Sequence, residues 1–357
     1  MTVMDYDGPL VVGVRSQDQA IVSFRPGDDA ETLVVAVENA SFGDLTPIAG
    51  QSALLATQET HSESGDVVRS IVRIDLDDHS VASLVTGRDF LAGGRSAPDG
   101  RQVAWCAWDH PSMPWDGSEV WSGFLSHAEG RWEIVDAVHV AGGVGNPACH
   151  PTFADDGALL FVFEADEWGI PWSREPAKGP KALLDDEADY GAPLWELGET
   201  ELVGRRGRRW GLRRSGGLVS PVEIVSGSFV PWESSATLVN SIIPTDAGLA
   251  WIGSTSDRLA VVVRANDDGV EVARVELGGV PPLRPDEIAR PETITVEGRD
   301  GERSTAFSSP RLGFLLIPKA APLLWWCSVM VVLRLRPGQG SIPSSRPSRR
   351  EDSRFSR

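Results

Sequence analysis

Short apolar runs alternate with polar turn segments from the N-terminus to about residue 303. The runs are rich in Val, Leu, Ile and Trp, and Gly, Pro and Asp-Gly turns separate them. No long stretch places apolar residues at the 3.6-residue period of an amphipathic helix. Short β-rich runs bounded by turn residues are typical of strands. The pattern therefore predicts an all-β fold.

One unit of this pattern recurs. It consists of Pro-Asp-Gly or Asp-Asp-Gly after a small or aromatic residue, then an apolar run and a second run rich in Trp. The copies are SAPDGRQVAWCAWDHPSMPWDGSEVW (96–121), PTFADDGALLFVFEADEWGIPW (151–172), GAPLWELGETELVGRRGRRWGLRR (191–214) in an intermediate position, and the weaker IPTDAGLAWIGSTSDRLAVVV (243–263). A period of about 40 to 55 residues is typical of β-propeller blades, each a four-stranded sheet. We therefore expect a propeller over about residues 1–285 and a connecting strand over 286–303.

The first copy predicts a hairpin in detail. Pro98 presets the turn, the Asp99 carboxylate can bond a following amide, and Gly100 accepts the positive φ that closes the turn. The three residues that then alternate inward are Val103, Trp105 and Ala107.

The tryptophans of the first two strong copies are expected to pack between neighbouring sheets. Packing is favoured over ligand binding because a repeat architecture needs large apolar side chains between its units. These residues are Trp108, Trp115, Trp121, Trp168 and Trp172.

The string Trp-Asp-His-Pro-Ser-Met-Pro-Trp-Asp-Gly-Ser-Glu, within residues 96–121, resembles a blade motif of bacterial prolyl-oligopeptidase-like serine peptidases, the acylaminoacyl-peptidase and dipeptidyl-peptidase relatives. A weaker likeness covers about residues 25–303. It ends in RPETITVEGRDGER, which is similar to the strand leading from propeller to hydrolase. The family's Tyr-Gly-Gly stretch of the first blade is replaced by IAGQSALLATQETHSESGDVV (48–68). This departure predicts a divergent first blade.

The resemblance implies a seven- or eight-bladed propeller that caps an α/β-hydrolase domain and restricts its active site to short peptides, with no cofactor. It also implies a serine on a Gly-x-Ser-x-Gly turn, followed along the chain by Asp and then His. The sequence contains no Gly-x-Ser-x-Gly, and its last histidine is His150. With no Ser-Asp-His triad in this order, the chain is expected to be the substrate-gating propeller portion, truncated before the catalytic domain and inactive alone. The alternative is a stand-alone propeller that acts as a binding or scaffold module.

Three clusters of polar residues are candidates for chemistry, and each has a plainer interpretation. Asp109 and His110 are adjacent, so on a strand they point to opposite faces, and a turn feature is favoured over acid/base chemistry. Glu164, Asp166 and Glu167 could hold a cation, but a solvated loop is favoured. The run Arg205–Arg214 could attract an anion; a polar outer strand with exposed arginines is favoured. The sequence therefore predicts no catalytic, cofactor-binding or metal-binding residue.

Charge and cysteine content limit the partners and the compartment. The net charge of −18 disfavours binding to nucleic acid or to an anionic membrane surface, because both favour a basic face. Cys106, Cys149 and Cys327 are too few for a disulfide framework, which indicates a reducing compartment. The N-terminus has acidic residues where a signal peptide carries positive charge. We expect a cytoplasmic protein whose intact form acts on short peptides.

The composition changes abruptly near residue 303. Residues 1–303 carry a net charge of −25, whereas residues 304–357 carry +7, with no acidic residue from Ser304 to Arg350. The segment Leu312–Leu333 is apolar and could anchor the chain in a membrane, but Pro318, Lys319 and Pro322 interrupt it and leave fewer clean apolar residues than the roughly 20 a span needs. Membrane attachment is therefore disfavoured.

A shift of reading frame is the favoured explanation of residues 304–357. Trp325-Trp326-Cys327 must be encoded TGG TGG TGY, which forces Val-Val when each codon takes the last base of one codon and the first two of the next. Met330-Val331 forces Gly in that frame, and the neighbouring codons permit Val-Val-x-x-His-Gly-Gly-Pro. This motif is similar to the strand and oxyanion loop that open the family's hydrolase domain. The segment is therefore expected to be an aberrant basic tail translated out of frame.

Overall fold

The computed structural model describes residues 2–5, 8–28, 30–176, 178–255, 258–276, 292–297 and 303–308. Within these ranges almost every regular element is a strand. Twenty-four strands form six four-stranded antiparallel sheets, and two more form a separate hairpin. In each sheet the strands lie side by side in chain order, so each sheet is a simple meander.

The sheets are numbered along the chain. Sheet 1 contains β1 (Thr2–Asp5), β2 (Gly8–Val14), β3 (Ile21–Phe24) and β4 (Thr32–Val35). Sheet 2 contains β5 (Ala40–Pro47), β6 (Ala53–His61), β7 (Val67–Asp75) and β8 (Val81–Val85). Sheet 3 contains β9 (Phe90–Ser96), β10 (Gln102–Trp108), β11 (Glu119–Ala128) and β12 (Arg131–Gly142), with the one-turn helix α1 (Pro114–Gly117) between β10 and β11.

The second half of the chain continues the same arrangement. Sheet 4 contains β13 (Ala148–Phe153), β14 (Leu159–Phe163), β15 (Ile170–Arg174) and β16 (Lys181–Ala182). Sheet 5 contains β17 (Leu202–Arg205), β18 (Arg208–Ser215), β19 (Leu218–Val225) and β20 (Ser228–Pro231). Sheet 6 contains β21 (Leu238–Thr245), β22 (Gly248–Thr255), β23 (Arg258–Asn266) and β24 (Glu271–Glu276), and the hairpin contains β25 (Glu292–Glu297) and β26 (Arg303–Ser308).

The six sheets are arranged radially. From sheet 2 onward the first strand of each sheet contacts the first strand of the next, so β5, β9, β13, β17 and β21 line the inside. Consecutive sheets pack face to face and bury one apolar core between each pair. This is the architecture of a β-propeller, and it confirms the predicted all-β fold with six blades described.

Strand β10 shows why these strands are almost continuously apolar. Val103, Trp105 and Ala107 point into the core shared with sheet 2, as the alternation predicts. The intervening Ala104 and Cys106 point into the core shared with sheet 4. A blade lies between two neighbours, so both faces of its inner strands exclude water.

The structure corrects two details of the sequence prediction. Residues 48–68, predicted to belong to a divergent first blade, lie in sheet 2, and sheet 1 precedes them. The run Arg205–Arg214 is not an outer strand, because most of it forms β18, which pairs with β17 on one side and β19 on the other. Sheets 1 and 2 lack the Pro-Asp-Gly or Asp-Asp-Gly turn of residues 96–121 and 151–172, so the repeat pattern does not predict them.

The hairpin β25–β26 crosses the composition break. Val296 pairs with Ser304 and Thr295 with Thr305, so the predicted boundary at residue 303 falls inside a two-stranded unit. Residues 309–357, including the candidate membrane segment, lie outside the described residues. In the ranges that are described, no helix has the length and apolar content required to cross a bilayer.

Two turn glycines allow a matched test of the blade turn. Gly100 and Gly157 occupy the same turn position with φ of 66° and 81°. A Cβ on Gly100 would lie 2.1 Å from the carbonyl oxygen of Ala49, whereas one on Gly157 would meet nothing within 4 Å. We expect Gly157→Ala to lower the free energy of unfolding by about 1 kcal/mol, the cost of a left-handed non-glycine residue.

The Gly100→Ala variant is expected to lose a further 1 kcal/mol or more, on the order of other overpacked sites, because the carbonyl of Ala49 must move. Urea denaturation of both variants measures the difference. Equal losses of stability in the two variants would show that the Ala49 carbonyl can move away from residue 100 without a measurable free-energy cost.

Candidate functional site at the loop face

In every described sheet the first strand begins and the fourth strand ends on the same face of the ring. A four-stranded meander begins and ends on one side, so the connections between sheets and those between second and third strands share one face, here called the loop face. The Gly100 and Gly157 turns join first to second strands and lie on the opposite face. Sheet 6 ends at Glu276, so the chain leaves the described ring on the loop face.

Residues 191–201, here called the channel segment, connect sheets 4 and 5 and contact the inner strands around the ring. The carbonyl oxygen of Ala192 lies 2.6 Å from Nε2 of His150 in sheet 4. The carbonyl oxygen of Glu199 accepts a hydrogen bond from Nη2 of Arg95 in sheet 3 at 3.3 Å. The backbone N–H of Thr200 donates to the Ser241 hydroxyl in sheet 6 at 3.1 Å.

The same segment reaches sheet 2. Leu197 lies over Gly43, with only 2.8 Å between its Cδ1 and the position that a Cβ on residue 43 would take. Contacts with the first strands of sheets 2, 3, 4 and 6 place the segment across the inner end of the ring. The channel segment therefore narrows the central channel.

An aromatic pair stands beside the channel segment. Trp195 is 71% exposed and packs against Trp115, which is 39% exposed, with their ring centroids 4.7 Å apart. Trp115 belongs to α1, in the connection between β10 and β11. Met113 and Val144 expose apolar side chains in neighbouring loops of the same face. These four side chains form a group of exposed apolar residues on the loop face.

The tryptophan prediction is therefore only partly correct. Trp108 is buried in the core between sheets 3 and 4, and Trp172 packs against that core. Trp121 packs against the core between sheets 2 and 3. Trp115, in contrast, faces solvent, because a helical turn lifts it out of the strand alternation. Trp195 is not among the tryptophans that the sequence led us to consider. The feature that could have identified it is its position in a long segment without the alternation of apolar and polar residues expected of a strand.

Asp109 and His110 lie in the turn after β10 and do not act on each other. The Asp109 carboxylate accepts hydrogen bonds from Nε of Arg88 and from the backbone N–H of Asp89, both at 2.7 Å. The His110 ring packs edge-on against Phe90, with centroids 4.9 Å apart. The Asp109 carboxylate and the His110 ring therefore stabilise the turn through their contacts with other residues.

The acidic group near residue 165 occupies the connection between β14 and β15. The side-chain amide of Asn146 donates to the backbone carbonyls of Glu164 and Ala165 at 3.1 and 3.0 Å. Asp166 and Glu167 are exposed. Within the described ranges, no group of three or more His, Cys, Asp or Glu side chains is placed to hold a metal ion.

The arginines of β18 are partly buried and bound to carboxylates, contrary to the predicted exposed strand. A strand buried between two sheets must neutralise its charges locally. Each partner lies within hydrogen-bond distance. The pairs are Arg208 with Glu223, Arg209 with Asp156, Arg213 with Asp186 and Arg214 with Glu201.

The most deeply buried of these pairs supports the channel segment. The side chain of Glu201 is fully buried and accepts two hydrogen bonds from Arg214, at 2.6 and 2.9 Å. Burial, with the charges of Glu201 and Glu196, raises the pKa of the neighbouring Glu199 carboxyl. The burial of the Glu199 and Glu201 carboxylates therefore follows from the position of the channel segment across the ring. The sequence alone does not reveal this position.

Burial lowers the pKa of His150 below its ordinary value of 6.5, although Glu201 and the carbonyl of Ala192 act in the opposite direction. His150 is therefore neutral in the folded protein, and below about pH 6.5 the unfolded chain binds more protons. Its contribution to stability is present above this pH and is lost as pH falls.

We expect the free energy of unfolding to decline between about pH 7 and pH 5.5. In the His150→Gln variant, whose amide can still donate to the carbonyl of Ala192, we expect a flatter profile over this window. Urea denaturation at each pH measures both. Identical slopes would show that His150 does not carry the dependence.

His150, Cys106 and Cys149 do not form a nucleophile–base pair with one another. Among the described histidines, His150 forms a hydrogen bond through a ring nitrogen. Its partner is a backbone carbonyl rather than a hydroxyl or a thiol. Burial raises the pKa of the Cys106 thiol to about 12 and that of Cys149 well above its usual value. Thiols with raised pKa values are poor nucleophiles at neutral pH.

No family model matches the chain, and no curated protein matches it. Solved structures do share its fold. The puromycin-hydrolyzing peptidase of Mycobacterium tuberculosis is 23% identical with a TM-score of 0.77, and the match covers 87% of this chain and 50% of that one. A puromycin hydrolase is also 23% identical, with a TM-score of 0.75 and the same coverage.

More distant peptidases have the same fold. The acylaminoacyl peptidase of Pyrococcus horikoshii is 12% identical with a TM-score of 0.58, and the match covers 87% of this chain and 49% of that one. The chain thus spans about half the length of the solved structures it matches. Its fold is that of the propeller part of prolyl-oligopeptidase-like peptidases.

Proposed function

We propose that this chain is the propeller portion of a prolyl-oligopeptidase-like serine peptidase and that it does not hydrolyse peptides by itself. The observation that carries the proposal is the fold match, which extends over 87% of this chain and half of a peptidase. The missing half would supply the nucleophile, the base and the oxyanion loop. The propeller would restrict access to short peptides.

The loop face is the surface that we assign to the catalytic half. The chain leaves sheet 6 on this face, so a following domain is tethered beside it. Trp115 and Trp195 provide exposed aromatic area there, and large aromatic side chains dominate the energetics of protein interfaces. The channel segment lies across the ring at the same end and would exclude bulky substrates from the central route.

The first experiment measures catalysis by the chain itself. Purified protein is incubated with aminoacyl and short-peptide p-nitroanilides and with puromycin, and separately with a fluorophosphonate probe for activated serines. We expect no turnover above buffer and no covalent labelling. Turnover that co-purifies with the chain, and labelling of one of its serines, would overturn the proposal of inactivity.

The second experiment concerns residues 304–357, which we propose are translated out of frame. The nucleotide sequence is read from the codon of Arg303 in the shifted frame. We expect codons for Val-Val-x-x-His-Gly-Gly-Pro followed by an open frame. A stop codon before that motif, or its absence, would refute the frame shift. An open frame permits expression of the restored protein, in which we expect peptidase activity.

A stand-alone binding module is the second candidate, and the exposed pair Trp115–Trp195 is the observation that favours it. It predicts an intact gene without a shifted hydrolase frame and a stable complex with another protein through the loop face. Tethering through Leu312–Leu333 belongs to this alternative. The proposed compartment is the cytoplasm, in keeping with the free thiols of Cys106 and Cys149.

A further inference from the structure

The channel segment is a loop whose two ends are tied together. The Glu201 carboxylate accepts a hydrogen bond from the backbone N–H of Ala192, nine positions earlier, at 3.4 Å. Arg214 donates two further hydrogen bonds to the same carboxylate. Compact surface loops of about 6 to 16 residues whose ends lie close together are Ω-loops, and such loops frequently have a function. The base of this Ω-loop is therefore fixed by a buried ion pair.

Each end of the loop has a further contact with an inner strand. Nε2 of His150 lies 2.6 Å from the carbonyl oxygen of Ala192. At the other end, the carbonyl oxygen of Glu199 accepts a hydrogen bond from Arg95 at 3.3 Å. The Arg95 guanidinium is itself paired at 2.8 Å with the Asp44 carboxylate, which is 1% exposed. Both ends are thus bonded to side chains that the ring holds in place.

The tip of the loop, residues 193–198, is held in a different way. In the described part of the chain, the backbone–backbone hydrogen bond of the tip is internal, because the N–H of Trp195 donates to the carbonyl two residues earlier, at 2.7 Å. The contacts with the ring are made by side chains. Leu197 lies over Gly43, and Trp195 packs against Trp115. The tip is therefore fastened to sheets 2 and 3 by two apolar contacts.

A glycine lies where the tip meets the second end of the loop. Gly198 has a φ of 91°, and a Cβ on it would meet nothing within 4 Å. Gly191, at the first end, is close-packed, because a Cβ there would lie 3.1 Å from Val162 and 3.2 Å from His150. Glycine adopts a wide range of φ angles, and hinges are positions that absorb such changes. The backbone at Gly198 can therefore rotate without displacing a neighbour.

We propose that the tip, residues 193–198, is a gate that opens and closes the central channel at the loop face. In the closed arrangement Leu197 contacts sheet 2 and Trp195 contacts sheet 3. In the open arrangement both contacts are broken, while the base keeps its hydrogen bonds. Segments with few buried apolar contacts and few hydrogen bonds open at low free-energy cost. The inference concerns the channel and does not depend on the proposed peptidase function.

A disulfide bond can lock the gate in its closed arrangement. A Cβ on residue 43 would lie 3.7 Å from the Cβ of Leu197, within the range of about 3.5 to 4.5 Å found in disulfide bonds. We expect the double variant Gly43→Cys/Leu197→Cys, in a Cys327→Ser background, to form this bond on mild oxidation. Mass spectrometry of the monomer detects the bond, and circular dichroism checks the fold. A folded variant that does not form the bond would overturn the inference.

Limited proteolysis of the oxidised and reduced forms of this variant measures opening. Glu-C protease cleaves after Glu196, an exposed residue of the tip, when the tip leaves the ring and enters the protease. We expect cleavage there to be at least about 10-fold slower in the oxidised form. Cleavage after Glu63, exposed in the connection between β6 and β7, is the control within each sample and should not change. Equal cleavage after Glu196 in the two forms would overturn the inference.

Leu197→Ala tests the gate without introduced cysteines. The substitution removes the contact with Gly43, so we expect cleavage after Glu196 to be at least about 3-fold faster than in the unsubstituted chain. Leu197 is 47% exposed, so the urea denaturation midpoint should not change measurably. Unchanged cleavage would overturn the inference, because Leu197 would then not hold the tip. An equal acceleration after Glu63 would also overturn it, because the ring as a whole would then be opening.

Discussion

Replacing Glu201 with glutamine is expected to lower the free energy of unfolding by about 3 kcal/mol, although the two side chains have nearly the same shape. The Glu201 carboxylate is fully buried and accepts two hydrogen bonds from Arg214, which retains 20% exposure. Removing the negative charge leaves the guanidinium without compensation between two sheets. Because Arg214 retains some exposure to solvent, we expect a loss near the lower end of the range observed when a buried ion pair is broken.

Urea denaturation followed by tryptophan fluorescence measures this loss. Glu175→Gln is the matched control, because Glu175 forms its ion pairs with Lys178 and Lys181 at the surface. Exposed pairs contribute little to stability, so we expect no resolvable change in the control. Similar losses in the two variants would mean that burial does not determine how much the Glu201–Arg214 ion pair contributes to the free energy of unfolding.

The largest effect is expected for Trp251→Ala, which should lower the free energy of unfolding by about 3 to 5 kcal/mol. Trp251 is 1% exposed in the core between sheets 5 and 6, so truncation leaves a cavity that rigid strands cannot fill. Among the described residues, its indole N–H has no hydrogen-bond partner. Trp251→Phe should therefore cost much less, because it retains most of the packing and removes an unsatisfied donor.

Trp195→Ala is the matched control for the tryptophan series. Its side chain is mostly exposed at the loop face, so we expect a change within about 0.5 kcal/mol. Denaturation midpoints of the three variants give the comparison. A large loss in Trp195→Ala would show that the aromatic pair stabilises the channel segment rather than serving as an open contact surface.

The amino-acid sequence determined the strand content and the blade turns by itself. Pro98, Asp99 and Gly100 specify a tight turn through backbone preferences that act within a few residues. The alternation of Val103 and Trp105 predicts one buried face of β10, as observed. The likeness of residues 96–121 to a peptidase blade also pointed to the propeller fold that the structural matches show. These features are local, so a single sequence contains them.

Only the tertiary structure decided which side chains meet across the ring. Trp108 and Trp115 are close in sequence, yet one is buried between sheets and the other faces solvent, because the one-turn helix α1 redirects the chain. The arginines of β18 looked like a basic surface, but partners from distant parts of the chain neutralise them. The position of residues 191–201 across the channel likewise depends on how whole sheets are arranged. Such contacts join residues far apart in the chain, and no local pattern encodes them.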